Sequence, residues 1–262
     1  MNELINFSTG TATLAIYDAT NLSSRLNDYS DWWCFDIDEL EEVSNGTISI
    51  VSLPGDGKYK VRLTDGDLLP EEHDYASCLV EPLGLNVKSS QVFIGQGESL
   101  PADGFMPKED SIKDYEGRFL NIPPGNYDLS IYLISWFNSP KYWNEEYLTP
   151  ADSPPDIVII IKERTSDFPG VNNEPHLDSL GSEFLFDSPS RKIGPEPGMT
   201  LTTKVWKNPD GLTLKECGPL NYKPMLGNFE GINWKDRIRI LVKSVNHNNK
   251  LMEVEYIETI AP

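Results

Sequence analysis

Ile157-Val158-Ile159-Ile160-Ile161 is the longest run of apolar residues in the sequence. A helix that crosses a bilayer needs about 20 such residues, so this short β-branched run predicts a buried strand. It follows several segments that alternate with a period of two, and turn sequences such as Pro54-Gly55-Asp56-Gly57 and Pro123-Pro124-Gly125-Asn126 precede two of them. These turns favour hairpins, because proline fixes φ and glycine tolerates positive φ.

We therefore expect a mainly β fold in which residues 1–162 form an antiparallel β-sandwich. The best helical candidate, residues 36–43, is short and acidic. The predicted strands of this domain cover residues 11–17, 47–53, 59–63, 75–80, 92–94, 127–136 and 157–162.

After residue 162 the sequence changes character. Residues 163–198 are rich in proline, glycine and asparagine, which is typical of a linker or a long covering loop. Alternating segments return at residues 201–206, 212–216, 237–245 and 251–257. They predict a small C-terminal β-barrel or meander over residues 199–262.

One face of the predicted strand 237–245 is basic, because positively charged positions of one parity alternate with apolar positions. The basic residues on and just before this strand are Lys235, Arg237, Arg239 and Lys243. This face either docks against the acidic first domain or is the solvated side of a half-buried strand. The second arrangement is the ordinary one.

The chain has 41 acidic and 22 basic residues, a formal net charge of −19. Surfaces that bind nucleic acid or anionic membrane need a positive charge. The net negative charge of the chain therefore excludes binding of either through overall electrostatic attraction. Residues 1–162 hold 27 acidic and ten basic residues, so this part of the chain has a formal net charge of −17. The acidity therefore belongs to the first domain.

The densest acidic segment, residues 28–42, holds seven carboxylates and no basic residue, with large aromatic residues among them. Carboxylates steer a basic partner and aromatic rings supply desolvated contacts. We therefore predict a partner-binding site at Asp28, Asp31, Trp32, Asp36, Asp38, Glu39, Glu41 and Glu42. The alternative is that the aromatic residues anchor the core while the acids form a solvated loop.

The common catalytic motifs are missing from the sequence. It contains no nucleophile elbow, no His-Glu-x-x-His and no phosphate-binding or dinucleotide-binding glycine loop. We expect a non-enzymatic protein with no cofactor, no catalytic residue and no metal site. Two alternatives stay open: calcium ligands around Asp65 and Asp67, or sugar stacking on Trp136, Tyr142 and Trp143.

The cysteines and the N-terminal residues indicate a compartment. Cys34, Cys78 and Cys217 form no Cys-x-x-Cys pair, as is typical of buried thiols in a reducing environment. The first residues show no basic stretch followed by an apolar run. We expect a cytoplasmic protein.

The order of segments in the first domain carries a family resemblance. The segments are Ile16-Tyr17-Asp18, Asp31-Trp32-Trp33, Tyr59-Lys60-Val61-Arg62-Leu63 and residues 80–85 and 119–129. This order resembles that of ComJ-like competence nuclease inhibitors and of the immunity proteins of bacterial polymorphic toxins. The resemblance covers residues 1–162 and implies an acidic cytoplasmic inhibitor of a cognate toxin or nuclease.

The leading hypothesis is an acidic binding protein that occupies the basic substrate site of a toxin or nuclease. Its partner is then a basic protein, with no direct contact to nucleic acid or membrane, and the affinity falls as salt screens the charges. The alternatives are a phage counter-defence protein that mimics nucleic acid, or a carbohydrate-active or calcium-binding protein.

Overall fold

The computed structural model of the chain describes residues 1–34, 36–142, 154–171, 175–177, 184–192, 194–217 and 221–260. Within these ranges strands dominate, which confirms the mainly β fold. No helix in the described ranges is both long enough and apolar enough to cross a membrane.

The strands in chain order are β1 (Asn2–Thr9), β2 (Thr13–Asp18), β3 (Ile48–Ser52), β4 (Gly57–Thr64), β5 (Ala76–Val87), β6 (Gln91–Gln96), β7 (Gly117–Asn121), β8 (Gly125–Ile134), β9 (Ile157–Glu163), β10 (Thr200–Asn208), β11 (Gly211–Leu214), β12 (Lys223–Leu226), β13 (Arg237–Asn246) and β14 (Leu251–Ile260). The α-helices are α1 (Asp36–Ser44) and α2 (Pro70–Tyr75). Short 3₁₀ segments lie at Ala19–Asn27, Trp32–Cys34, Gly97–Ser99, Trp136–Asn138 and Pro140–Tyr142.

The chain divides into two compact units. Unit 1 comprises Met1–Ile134 and Pro154–Asp187, and unit 2 comprises Ser135–Ser153 and Ser188–Pro262. Residues 163–198, which the sequence predicts to be a linker or covering loop, are thus shared between the two units. Their first part packs on unit 1, where Leu177 is buried and its N–H donates to the Ser52 carbonyl (2.9 Å).

Unit 1 is a sandwich of two sheets. One sheet has the strand order β1-β4-β9-β8-β5 and the other β3-β2-β6-β7. Buried side chains from both sheets form one core, for example Phe7 and Leu129 from the first and Leu14 and Phe93 from the second. Two sheets that pack face to face share one core of this kind.

Strand β9 lies at the centre of the five-stranded sheet. All five residues of Ile157-Val158-Ile159-Ile160-Ile161 are buried, none being more than 9% exposed. Ile157, Ile159 and Ile161 belong to the core between the sheets, so Val158 and Ile160 point to the other side. The run is therefore a strand buried on both faces, as its unbroken apolar sequence predicts.

The sheet of β9 is mixed, whereas the sequence predicts an antiparallel sandwich. β9 pairs antiparallel with β8 but parallel with β4, with Val61 opposite Ile157 and Thr64 opposite Ile160. Parallel neighbours need a long crossover connection. Here that connection includes all the strands from β5 to β8, so sequence order alone does not reveal the pairing.

A buried ion pair ties helix α2 to this sheet. Arg62 on β4 donates through Nε to Glu72 Oε1 (2.7 Å) and through Nη2 to Glu72 Oε2, and both side chains are buried. The Leu69 N–H also donates to Glu72 Oε2 (2.8 Å), which caps the helix. Because each charge is desolvated, removal of either partner alone would leave an uncompensated buried charge.

Unit 2 is built on a five-stranded sheet with the order β11-β10-β13-β14-β12. In the described residues this sheet is open and not closed into a barrel. Ile238, Ile240 and Val242 of β13 are buried in the core of the unit, as predicted. The basic face of β13 pairs with acidic residues of β14: Arg239 with Glu258, and Lys243 with Glu255 (2.9 Å).

Three strands escape the sequence prediction: β1, β7 and β12. In β1 every second side chain is buried, namely Ile5, Phe7 and Thr9. Because Thr9 is polar, the alternation of apolar residues is too short to predict the strand. β12 contains Pro224, which normally argues against a strand. As the edge strand of its sheet, β12 can accept a residue that lacks an N–H donor.

Asp156 lies directly before β9 and joins it to β4. Its Oδ2 accepts a hydrogen bond from the Lys60 N–H (2.9 Å), and its own N–H donates to the Lys60 carbonyl (2.8 Å). Burial raises the pKa of Asp156 to about 6, although the bond from Lys60 acts in the opposite direction. Folding therefore favours the protonated form of this carboxyl more than the unfolded chain does.

We expect Asp156→Asn to increase the free energy of unfolding by about 3 kcal/mol near pH 7.5, because the pKa is raised by about two units and one unit corresponds to about 1.4 kcal/mol. Since the folded pKa lies above the usual 3.8, the stabilisation by this group is complete below pH 3.8 and is lost as the pH rises through about 6. The advantage of the variant should thus vanish below about pH 4. Urea unfolding of both proteins at several pH values measures the difference in their free energies of unfolding. A difference that does not change with pH would contradict the raised pKa of Asp156.

Candidate functional site

The predicted acidic site lies in the segment between β2 and β3, which holds the 3₁₀ segments Ala19–Asn27 and Trp32–Cys34 and helix α1. The loop around residue 103 fixes this segment: the Asp103 N–H donates to the Asp28 carbonyl (2.8 Å) and the Gly104 N–H to the Leu26 carbonyl (2.7 Å). Trp32 Nε1 donates to the Pro101 carbonyl (3.0 Å). These hydrogen bonds fix the backbone of the segment that carries the acidic side chains.

Arg25 organises the acidic side chains. Its guanidinium lies 2.8 Å from Glu42, 2.9 Å from Asp38, 3.2 Å from Asp28 and 3.5 Å from Glu41. We call these five residues the Arg25 cluster. One cation thus holds together the carboxylate of Asp28, which directly follows the segment Ala19–Asn27, and three carboxylates of α1. Without Arg25, these four carboxylates would repel each other.

The environment of Arg25 favours its charged form. The guanidinium carbon lies 4.8 Å from the centre of the Trp32 ring, a cation–π geometry. Burial opposes the charge, but hydrogen bonds to Glu42, Asp38 and Asp28 outweigh it and raise the pKa of Arg25. Arg25 is therefore a permanent charge that links the four carboxylates to Trp32, which belongs to the core of unit 1.

Two apolar side chains stand out from this surface. Tyr29 is 80% exposed and Ile37 is 83% exposed, so neither contributes to the core of unit 1. Asp31 lies between them in sequence and is also exposed. Asp38 and Glu41 follow Ile37 on α1, one and four positions later. We call the Arg25 cluster together with Tyr29, Asp31 and Ile37 the acidic surface.

The structure places the predicted site residues at different depths. Asp28, Asp31, Asp38, Glu41 and Glu42 belong to the acidic surface. Trp32 and Glu39 are buried, at 3% and 5% exposure, so they support the surface from below and do not present themselves to a partner. Asp36 begins α1, but its side chain, like the whole of Phe35, lies outside the described residues.

The sequence prediction missed Arg25 and gave no role to Ile37. A signal for Arg25 existed, because it is the only basic residue among residues 1–57 and stands three positions before Asp28. In a helical turn that spacing brings two side chains together. Against the seven carboxylates of residues 28–42, Arg25 leaves a formal excess of six negative charges.

Cys34 borders the acidic surface and is exposed, whereas the sequence predicts buried thiols. Desolvation and the nearby Asp31 and Glu39 raise the pKa of its thiol. Thiolate is the reactive form of cysteine, so this environment favours an unreactive thiol.

The residues behind the alternative functions lie elsewhere. Asp67 is exposed, and Lys162 Nζ lies 4.0 Å from its carboxylate. Trp136 is 7% exposed and packs edge-on against Tyr142, while Trp143 lies outside the described residues. Among the residues that the structure describes, no three His, Cys, Asp or Glu side chains are grouped so as to hold a metal ion.

Comparisons with known proteins add a family but no activity. A family model described as "Family of unknown function (DUF6386)" matches residues 1–133, which include the whole acidic surface. No curated protein matches the chain. A solved structure titled "Crocagin biosynthetic gene J" is similar at 15% identity and a TM-score of 0.37, over 61% of this chain and 94% of that chain.

We expect Arg25→Met to lower the free energy of unfolding by about 2 kcal/mol at low salt, since it leaves four carboxylates without their shared cation. The loss should become smaller in about 0.5 M salt, which screens their repulsion. Lys58→Met is the matched control, because it removes one charge from an exposed position of the same unit. Equal effects of the two substitutions in urea unfolding would contradict a special role for Arg25.

Proposed function

The chain belongs to the family of unknown function DUF6386, and we propose that it is a non-enzymatic acidic binding protein whose acidic surface docks onto a basic partner protein. The observation that carries this proposal is the exposure of Tyr29 and Ile37 among ordered carboxylates. Large exposed apolar side chains cost solvation in the free protein, and burial in an interface recovers that cost.

The Arg25 cluster would give the surface its specificity. Its carboxylates are already held in place, so a partner does not have to order them on binding. Asp38 and Glu41 keep 42% and 65% of their side-chain area exposed, which leaves oxygen atoms available to lysine or arginine. Their field would also accelerate encounter with a basic partner.

The partner that fits this surface best is a toxin or nuclease with a basic substrate site. A nuclease binds phosphates through positive charge, and a surface of ordered carboxylates imitates the phosphate pattern. Occupation of that site would block the substrate without chemistry on the part of the inhibitor. The resemblance of the first domain to ComJ-like nuclease inhibitors and immunity proteins agrees with this role.

A pull-down from lysate of the native cell tests the proposal at the level of the partner. The tagged full chain is used at low salt and again at about 0.5 M salt, where charge attraction beyond a few ångströms is screened. We expect a basic protein in stoichiometric amount at low salt and its loss at high salt. Absence of any such protein at both salt concentrations would contradict the proposal.

We expect the double substitution Tyr29→Ala and Ile37→Ala to weaken binding of the purified partner at least tenfold, because exposed apolar anchors carry much of the energy of an interface. Tyr115→Ala and Leu69→Ala are matched controls, since both residues are exposed on unit 1 outside the acidic surface. Calorimetric titration measures the affinity.

Neutralisation of the carboxylates gives a second, separable result. We expect Asp28→Asn, Asp31→Asn, Asp38→Asn and Glu41→Gln together to slow association and to flatten its dependence on salt. Stopped-flow kinetics measures both quantities. An unchanged association rate would show that the carboxylates do not face the partner.

A further inference from the structure

A row of basic side chains crosses three neighbouring strands of unit 2. Lys204 of β10 lies opposite Arg237 of β13. On the other side of β10, the Lys215 N–H, directly after β11, donates to the Lys204 carbonyl (2.9 Å) and continues the register of β10 with β11 by one residue. Residues that face each other across strands direct their side chains to the same side of the sheet, and neighbouring strands lie about 5 Å apart. The three basic side chains are therefore adjacent.

No carboxylate interrupts this row within the described residues. The next position along it, opposite Arg237, is Ile260 of β14. Lys204 and Lys215 make no ion pair with any residue in the described ranges, whereas the two basic residues further along β13 are neutralised by glutamates of β14. Like charges that face each other across strands destabilise a sheet. An anion bound at the row would remove this repulsion.

Two exposed tryptophans adjoin the row. Trp206 follows Lys204 by two residues on β10, so both side chains lie on the same face, and Trp206 is 53% exposed. Trp234 is 52% exposed, and the Lys235 Nζ lies 4.4 Å from the centre of its ring. The Lys235 N–H donates to the Val205 carbonyl (3.0 Å), so this pair lies beside the residue that precedes Trp206. We call these side chains the lysine–tryptophan face, which comprises Lys204, Trp206, Lys215, Trp234, Lys235 and Arg237.

The combination of exposed indole rings and lysines without ion pairs selects a class of ligand. Trp32, Trp33 and Trp136, by contrast, are each no more than 7% exposed. Proteins that bind single-stranded nucleic acid stack bases on aromatic rings and place basic side chains along the phosphates. The carboxylates of an acidic peptide would satisfy the lysines alone, and the bases of a duplex are already stacked on one another. A single strand satisfies both the rings and the cations.

We infer that the lysine–tryptophan face of unit 2 binds single-stranded nucleic acid. Phosphates of the strand contact Lys204 and Lys215, and a base stacks on Trp206. Lys235 adds a further positive charge at this end of β10. The face is exposed, so a strand can pass across it, whereas a free nucleotide would need a cavity that encloses it.

The net charge of −19 does not decide binding at this face, because residues 1–162 hold −17 of it. At an ionic strength of 0.15 M the Debye length is about 8 Å, so a phosphate responds mainly to the charges next to it. The sequence-based expectation of no direct contact with nucleic acid rests on the charge of the whole chain. It therefore applies to overall attraction and not to a local basic face.

Fluorescence anisotropy of the full chain tests this inference. The probe is a labelled thymidine strand of about 12 nucleotides, a length that small binding modules cover. A hairpin duplex of mixed sequence and a polyglutamate peptide are its controls. We expect the single strand to bind at least tenfold more tightly than either control. Its affinity should fall with salt with a logarithmic slope of about −2, since about three phosphate contacts contribute about −0.7 each.

Substitution of Trp206 tests the stacking of a base. Trp206→Ala should weaken the single strand at least fivefold, because the platform for one base is lost. Tyr256→Ala is the matched control, since Tyr256 is partly exposed on β14 of the same unit and lies outside the lysine–tryptophan face. Both side chains are at the surface, and thermal unfolding verifies that both variants stay folded.

Substitution of the lysines tests the phosphate contacts. Lys204→Gln together with Lys215→Gln should weaken the single strand at least tenfold and reduce the salt slope by about 1.4. Lys223→Gln together with Lys250→Gln is the matched control, because it removes the same charge from exposed positions of unit 2 outside the face. The control pair should leave the salt slope unchanged.

Four results would overturn the inference. The first is no binding of the single strand at millimolar protein, and the second is an equal loss of affinity in the two lysine double variants. The third is equal or tighter binding of polyglutamate, which would assign the face to an acidic protein segment. The fourth is salt-sensitive self-association of the chain that Lys204→Gln with Lys215→Gln abolishes, which would assign the face to a second copy.

Discussion

The insertion of β9 between β4 and β8 is the constraint on which unit 1 depends. The strand brings five consecutive buried residues to the centre of the five-stranded sheet, where both of its faces are covered. Its inner residues fill the core between the sheets, and its outer residues lie next to the buried pair of Arg62 and Glu72. Without β9, the β1–β4 pair would lose its connection to β8 and β5.

This sheet arrangement also explains where the acidic segment can go. The four-stranded sheet packs against the five-stranded one, and the chain between β2 and β3 forms no strand of either sheet. Trp32 and Trp33 turn inward and join the core, while the residues beside them stay at the surface. A segment with seven carboxylates is thereby anchored by its aromatic residues, and its charges remain in water.

The proposed binding through unit 1 combines two kinds of attraction. The carboxylates of the acidic surface would guide a basic partner by electrostatic attraction. The exposed side chains of Tyr29 and Ile37 would then provide apolar contact area.

The sequence by itself determined the β class, most of the strands and the confinement of the negative charge to the first domain. These properties are local, because alternation, turn residues and charge can be read from neighbours along the chain. It also indicated the acidic segment as the best candidate site. It did not reveal how deep each residue of that segment lies, so Trp32 and Glu39 were grouped with residues that are exposed.

Only the tertiary structure decided which strands became neighbours and which faces were covered. The parallel pairing of β9 with β4 joins segments about a hundred residues apart, and the convergence of Arg25 with α1 needs a turn and a helix to meet. The parallel pairing of β12 with β14 joins an edge strand to the last strand of the sheet, and it runs only from Leu251 to Val254. Such contacts depend on the burial of side chains that are distant in the chain, so local sequence patterns do not predict them.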